Sequence, residues 1–330
     1  MGRYVLRRLL IMIPTLFAIS VASFIIIQLP PGDYVSTLIA QYAAQGDQLD
    51  QARIAALEQR YGVNQPVYVQ YWKWITNIVL HQDFGQSFAW KKPVSELLAD
   101  RLPLTIGLSV ATLVFIWVVA FPIGVYSALR QYSVGDYVVT MIGFIGLATP
   151  NFLIALVLMY LGMTYFGTGA GGLLSPEWQG AAWNLGKVLD LLGHLWVPLI
   201  VWGTAGTAGM IRILRANLLD EVRKPYVVAA RARGVSEVKL TLKYPLRVAL
   251  NPFFSTIGWV LAGLISADAI VSQVLNLDTT GPLLLGALRS QDMYLAGSIV
   301  LIGATLTVIG TLISDLLLGW LDPRVRLARR

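Results

Sequence analysis

Six apolar runs, each long enough to cross a bilayer, constrain this chain more than any other feature. They are roughly Leu9–Leu29, Leu104–Leu129, Tyr137–Phe166, Leu195–Ile211, Val248–Val271 and Met293–Trp320. A helix needs about 20 apolar residues to span the hydrocarbon. The second and third runs carry no charged residue. Only 13% of the 330 residues are charged, against about 25% in a soluble globule. The expected fold is therefore all-α: a polytopic membrane protein with six transmembrane helices. Residues 1–29 would be a cytoplasmic N-terminus and first helix. Residues 30–103 would be an extracytoplasmic segment, and 104–330 a five-helix core with an inner loop at about 212–247.

The first run follows Arg3, Arg7 and Arg8 and precedes Pro30-Pro31-Gly32-Asp33. At about 21 residues it exceeds the 7–15 of a signal-peptide core, so it reads as an uncleaved span. Thr149-Pro150-Asn151 interrupts the third run, and a kink is expected there. The fourth is short and rich in small residues (Gly203, Ala205, Gly206, Ala208, Gly209), which let helix backbones approach closely in lipid.

Lys and Arg set the orientation. Three precede the first span, Arg130 follows the second, nine lie in 212–247 and four in the tail, making 17 of the 25 on one side. The positive-inside rule then puts both termini in the cytoplasm. A net charge of +7 located beside spans is a topology signal, not a nucleic-acid footprint.

In segment 30–103, Asp50–Arg60 has helical composition and Pro66–Leu80 is aromatic and amphipathic. Tyr68, Tyr71, Trp72 and Trp74 suit either a helix at headgroup level or packing on the outer ends of the spans. Residues 167–194, Gly-rich with Trp178 and Trp183, read as an outer loop.

Several chemistries find no support. There is no G-x-x-x-x-G-K-[ST], so the chain should not hydrolyse ATP itself. There is no cysteine, no H-E-x-x-H and no G-x-S-x-G, and the two histidines, His81 and His194, stand alone. No metal site is expected. Asp268 near the outer end of the fifth span either lines a path or sits among headgroups. Asp315, near the inner end of the last span and on the face of Asp322, is expected to pair with a base of the inner loop.

Within that loop, basic residues flank a helix signal on both sides: Arg223 and Lys224 precede it, and Lys239, Lys243 and Arg247 follow it. Pro225 suits the first turn of a short helix and Gly234 the position just past its end. Ala229 and Ala230 offer a flat face to another protein. Ser236 with Glu237 can start a second helix.

The stretch Val228-Ala229-Ala230-Arg231-Ala232-Arg233-Gly234 resembles the E-A-A-x-x-x-G coupling loop of bacterial ATP-binding-cassette importer permeases, with Val228 in place of the glutamate. Its flanks, Tyr226, Ser236-Glu237 and Pro252, are similar to the oligopeptide/dipeptide/nickel branch. So are Pro31-Gly32-Asp33, Tyr61-Gly62, Gln65-Pro66, Asp83-Phe84-Gly85-Gln86-Ser87, Arg101-Leu102-Pro103-Leu104-Thr105 and Leu321-Asp322-Pro323-Arg324.

The resemblance implies a type I importer transmembrane domain in a bacterial inner membrane. A second homologous permease would complete the pore. Two ATPase subunits holding ATP and Mg would dock on Pro225, Tyr226, Ala229, Ala230, Arg231, Arg233, Gly234, Ser236 and Glu237. An extracytoplasmic binding protein would deliver di- or oligopeptides; nickel chelates, glutathione and oligosaccharides are the alternatives. Pro150, Asn151 and Asp268 are pore or gate candidates, and Asp315, Asp322 and Arg324 structural ones. A stand-alone channel or intramembrane enzyme is the competing class.

Overall fold

The computed structural model describes residues 2–28, 65–87, 89–167, 171–182, 184–257 and 269–321, with a few positions between 39 and 59. Among these, four helices are long and apolar enough to cross a membrane: Val5–Gln28, Val94–Leu129, Leu185–Val222 and Met293–Gly319. The pair Val134–Ala148 and Asn151–Tyr165 is long and apolar enough to count as a fifth when its two helices are taken together. The centre of the expected fifth span, 258–268, lies outside the described residues, as do Pro30-Pro31-Gly32-Asp33, Trp183, Asp268, Asp322 and Arg324. Of the expected helix Asp50–Arg60, residues 51, 54–56 and 59 are described and are helical, while 52, 53, 57, 58 and 60 lie outside the described residues.

In chain order, α1 is Gly2–Gln28, α2 Val67–His81, β1 Gln86–Ser87, β2 Lys92–Pro93, α3 Val94–Leu129, α4 Val134–Ala148 and α5 Asn151–Phe166. Then come α6 Leu185–Val222, α7 Pro225–Ala232, α8 Glu237–Lys243, α9 Pro245–Ala249, α10 Asn251–Ser255, α11 Ala269–Val274, α12 Thr280–Arg289 and α13 Met293–Leu321. The two strands form an antiparallel hairpin pairing Gln86 with Pro93 and Ser87 with Lys92.

The fourth span is much longer than expected. Helix α6 has 38 residues, about 57 Å at 1.5 Å per residue, roughly twice the hydrocarbon thickness. Sequence reading stops it at Arg212 because charge begins there. The helix continues because that charge is partnered: Arg212 lies 5.2 Å from the Phe144 ring centroid and Arg215 is paired with Asp136. Its N-terminus starts where Asn184 Oδ1 accepts from Lys187 N–H.

The third span shows a full break, not the expected kink. The axes of α4 and α5 differ by 107°. Pro150 has no N–H and forces Thr149 into an extended conformation (φ −91°, ψ 127°), so one helix ends and another starts. The contacts of the pair advance along α6 in one direction. Asp136 meets Arg215, Gly143 meets Ala208, Gly146 meets Thr204, and Ala155 packs in the cluster of Val201.

Small residues set these close approaches. A methyl on Gly203 would come within 2.5 Å of Phe115, and one on Gly206 within 2.6 Å of Ile116 Cδ1. Gly209, by contrast, faces open space. Packing therefore accounts for Gly203, Gly206 and Ala208.

The buried clusters separate two ends. At the basic end, Ala128 of α3 joins Leu214 and Leu218 of α6, Leu246 and Ala249 of α9 and Phe253 of α10. At the hairpin end, Val94, Leu97 and Leu98 of α3 join Leu283 and Ala287 of α12 and Leu295 and Ile299 of α13. The hairpin is pinned there by Asp292, which is fully buried and accepts from Ser87 Oγ at 2.5 Å and Leu295 N at 3.3 Å.

Helix α2 divides the two readings of the aromatic segment. Tyr71 and Trp74 are buried against Phe24 of α1, while Tyr68 and Trp72 are exposed. Residues 185–194, expected in the outer loop, are already helix.

Candidate functional site

Helix α7 begins at Pro225, whose fixed φ and missing N–H suit the first turn. It ends at Gly234, which sits in the left-handed region at φ +79°. Gly234 N–H donates to the Arg231 carbonyl (2.9 Å) and Val235 N–H to the Ala230 carbonyl (3.4 Å). These two bonds make a Schellman ending that satisfies the last carbonyls. The helix is thus sharply bounded at both ends.

One side of α7 is packed. Val227 and Ala230 are buried with Leu240 of α8, flanked by Val235 and Tyr244. Ala230 therefore belongs to the underside, which corrects the expectation of a flat face made from both alanines. The other side is open: Pro225, Tyr226, Val228, Ala229, Arg231, Arg233 and Gly234 are exposed. Val228, in the position of the family's glutamate, is 52% exposed, so the substitution leaves an apolar knob on the surface.

Two links fix this helix. Tyr226 OH donates to Glu221 Oε2 at 2.5 Å, and Lys224 pairs with the same carboxylate, which is buried in the last turn of α6. Arg231 grips Glu237 of α8 with Nε–Oε1 at 2.6 Å and Nη2–Oε2 at 3.1 Å. The Arg231 guanidinium holds the Glu237 carboxyl below its ordinary value, and the carboxylate in turn raises the guanidinium. Ser236 occupies the N-cap position of α8, but its side chain makes no capping bond. A push on α7 would therefore reach α6 directly through Glu221 and α8 through Arg231.

The helix α6 is itself locked beside the site. Asp136, buried at the start of α4, accepts from Arg215 Nη2 at 2.9 Å, from Tyr132 N–H at 2.9 Å and from Ser127 Oγ. Sequence reading missed Asp136, Arg215 and Glu221. The available signal was Ser133 three residues before Asp136, a helix-start spacing, and Asp136 N–H does donate to Ser133 Oγ.

Other candidates lie elsewhere. Asp315 pairs with Arg8 of α1 at 2.6 Å, where sequence reading expects a base of the inner loop. The two helices run side by side, which brings Arg8 to Asp315. Pro150 and Asn151 sit at the break between α4 and α5, away from α7. Among the described residues no three His, Cys, Asp or Glu side chains converge as a metal site. His194 Nδ1 lies 2.8 Å from the Asp190 carbonyl oxygen.

Comparisons with known proteins place this arrangement. Residues 120–327 match the family described as "Binding-protein-dependent transport system inner membrane component", and residues 1–109 match its N-terminal family. The chain is 35% identical to the oligopeptide transport system permease protein AppB of Bacillus subtilis, covering 98% of this chain and 99% of the relative. It is 29% identical to the nickel import system permease protein NikB of Staphylococcus aureus, covering 98% and 91%. A solved structure of the MetNI methionine ABC transporter, in inward-facing conformations, shares the fold with a TM-score of 0.52 at 15% identity, over 68% of this chain and 96% of that one. The chain belongs to the family of inner membrane components of binding-protein-dependent transport systems.

Proposed function

We propose that this chain is the translocation subunit of an ATP-driven importer for di- and oligopeptides, and that α7 is the lever on which a partner ATPase pushes. The observation that carries this reading is the exposed face of Pro225–Ala232, tethered through Tyr226 to Glu221 at the end of a 38-residue helix. A docking helix tied to a long rigid rod suits force transmission, and a stand-alone channel has no use for it. The peptide assignment is supported by the 35% identity with the Bacillus relative over nearly the whole length. Nickel chelates and glutathione are the second reading, supported by nickel and glutathione permeases among the relatives.

In this reading a second permease completes the pore, two ATPase subunits carry ATP and Mg, and a binding protein delivers solute at the hairpin end. The basic end faces the cytoplasm with both termini, as the positive-inside rule requires. The step at Pro150–Asn151 would belong to the path or its gate, and Asp268 is the further candidate for that role. Nine basic residues against Asp220, Glu221 and Glu237 in 212–247 would favour an acidic groove on the ATPase.

Ala229→Trp tests the lever. It places bulk on the open face without touching the buried underside. Membrane insertion should persist while solute-stimulated ATP hydrolysis and uptake are lost in vesicles of the assembled complex. Unchanged uptake would remove α7 from the docking role.

A further inference from the structure

We propose that α2 is sunk into the leaflet at the hairpin end, with the stripe Tyr68, Trp72, Thr76, Val79 and Leu80 facing acyl chains. This needs the spans to lie in a bilayer but does not depend on the importer reading.

Depth comes from a hydrogen bond. Ser20 lies eight residues before the end of α1, about 12 Å inside the helix terminus at 1.5 Å per residue. Its Oγ donates to the Phe17 carbonyl at 2.8 Å and lies 2.7 Å from the Tyr71 hydroxyl. The Tyr71 hydroxyl is therefore drawn below the rim of the first span. Its ring meets Phe17 and Phe24 edge-on at centroid distances of 6.1 and 5.6 Å, and Trp74 packs 5.6 Å from Phe24. At the rim itself, Gln70 bonds Gln28, amide to amide, at 3.1 Å.

The opposite face of α2 is apolar and open. Tyr68, Trp72, Val79 and Leu80 are each more than half exposed. At spacings of three and four residues they form one stripe. Thr76, in the middle of that stripe, turns its hydroxyl onto the helix, donating to the carbonyls of Trp72 (2.6 Å) and Lys73 (3.0 Å). Internal satisfaction of this kind is what a hydroxyl in hydrocarbon requires. Lys73 borders the stripe on the side of Leu80, seven residues on, and turns its ammonium group to the Gln59 carbonyl at 3.3 Å.

Continuity identifies the occupant. The exposed side chains of α1, among them Ile13, Phe17 and Ile25, are those of a transmembrane helix and meet lipid. The α2 stripe extends that apolar surface sideways in the zone between Ser20 and Gln28 of α1.

The chain has no cysteine, so single cysteines can carry a nitroxide without further change. Trp72→Cys and Val79→Cys are placed separately in the full chain and reconstituted in phosphatidylethanolamine/phosphatidylglycerol vesicles. Ile13→Cys and Tyr132→Cys serve as lipid and water references. Collision with oxygen should exceed collision with a water-soluble nickel chelate at both α2 sites, as at Ile13 and in reverse of Tyr132. Preference for the nickel chelate would overturn the proposal by showing a water-facing helix. Exclusion of both would overturn it by showing a protein cover, such as a second copy. The two sites are independent, so a variant that fails to insert leaves the other to decide, and solute uptake does not enter the measurement.

Discussion

Asp136 and Arg215 form a two-pronged ion pair between the start of α4 and the C-terminal third of α6, with Nε 3.1 Å from Oδ1 and Nη2 2.9 Å from Oδ2. The carboxylate is nearly fully buried, whereas the guanidinium keeps 28% exposure. Ser127 and the Tyr132 N–H complete the carboxylate's partners, so α3, the following turn, α4 and α6 converge on one group.

Removing the acid should therefore hurt more than removing an exposed pair. Asp136→Ala is expected to destabilise by about 3 kcal/mol, the lower end of the range for a broken buried pair, because water still reaches Arg215. Thermal unfolding in detergent measures the loss. A double-mutant cycle with Arg215→Met should show a coupling above about 1 kcal/mol; additivity would mean the two residues act independently.

The Arg231–Glu237 clamp carries a pH dependence of known sign. Arg231 lowers the folded-state value of the Glu237 carboxyl below its ordinary 4.5. The clamp's contribution is therefore complete above pH 4.5 and fades as the pH falls through the lower folded value. Between pH 6 and 9, hydrogen exchange of the α7 amides should show no change in protection beyond the intrinsic rate. Glu237→Gln should reproduce the acid state at every pH. A loosening centred near pH 6 would assign the tether to another group.

Much of this arrangement was legible in sequence where a single residue dictates local geometry. Pro225 and Gly234 bounded α7 because one lacks an N–H and the other tolerates positive φ. The first, second, fourth and last apolar runs fall on membrane-length helices, and Met293–Trp320 differs from α13 by one residue. What escaped depends on partners distant in the chain. Arg215 looked like loop charge until Asp136, 79 residues away, neutralised it and let α6 continue. Ala230 looked like surface because nothing in its own helix shows that Leu240 covers it. Asp315 meets Arg8 because α1 and α13 pack side by side, which no local signal in either helix shows.

Gly234 gives a cleaner test of helix ending than of packing, since a Cβ there would meet nothing within 4 Å. Gly234→Ala should cost about 1–2 kcal/mol from the left-handed backbone alone. Gly234→Asn should cost less, because its short polar side chain tolerates that region. If both variants unfold at the parental temperature, the Schellman ending does not limit stability. Should Ala alone weaken solute-stimulated ATP hydrolysis, the position of α7 matters beyond stability.

The contact between α4 and α6 makes the last prediction. A methyl on Gly146 would stand 2.3 Å from Thr204 Cγ2, closer than side chains approach. Thr204 cannot simply turn away, because its Oγ1 donates to the Ile200 carbonyl at 2.5 Å. Gly146→Ala should therefore destabilise by about 1–3 kcal/mol through overpacking. Thr204→Ser deletes Cγ2 and keeps the hydroxyl. Combined with Gly146→Ala, it should recover most of the loss in a thermal melt, although alone it leaves a small void. A double variant no more stable than Gly146→Ala would show that the strain falls on the backbone crossing rather than on that methyl.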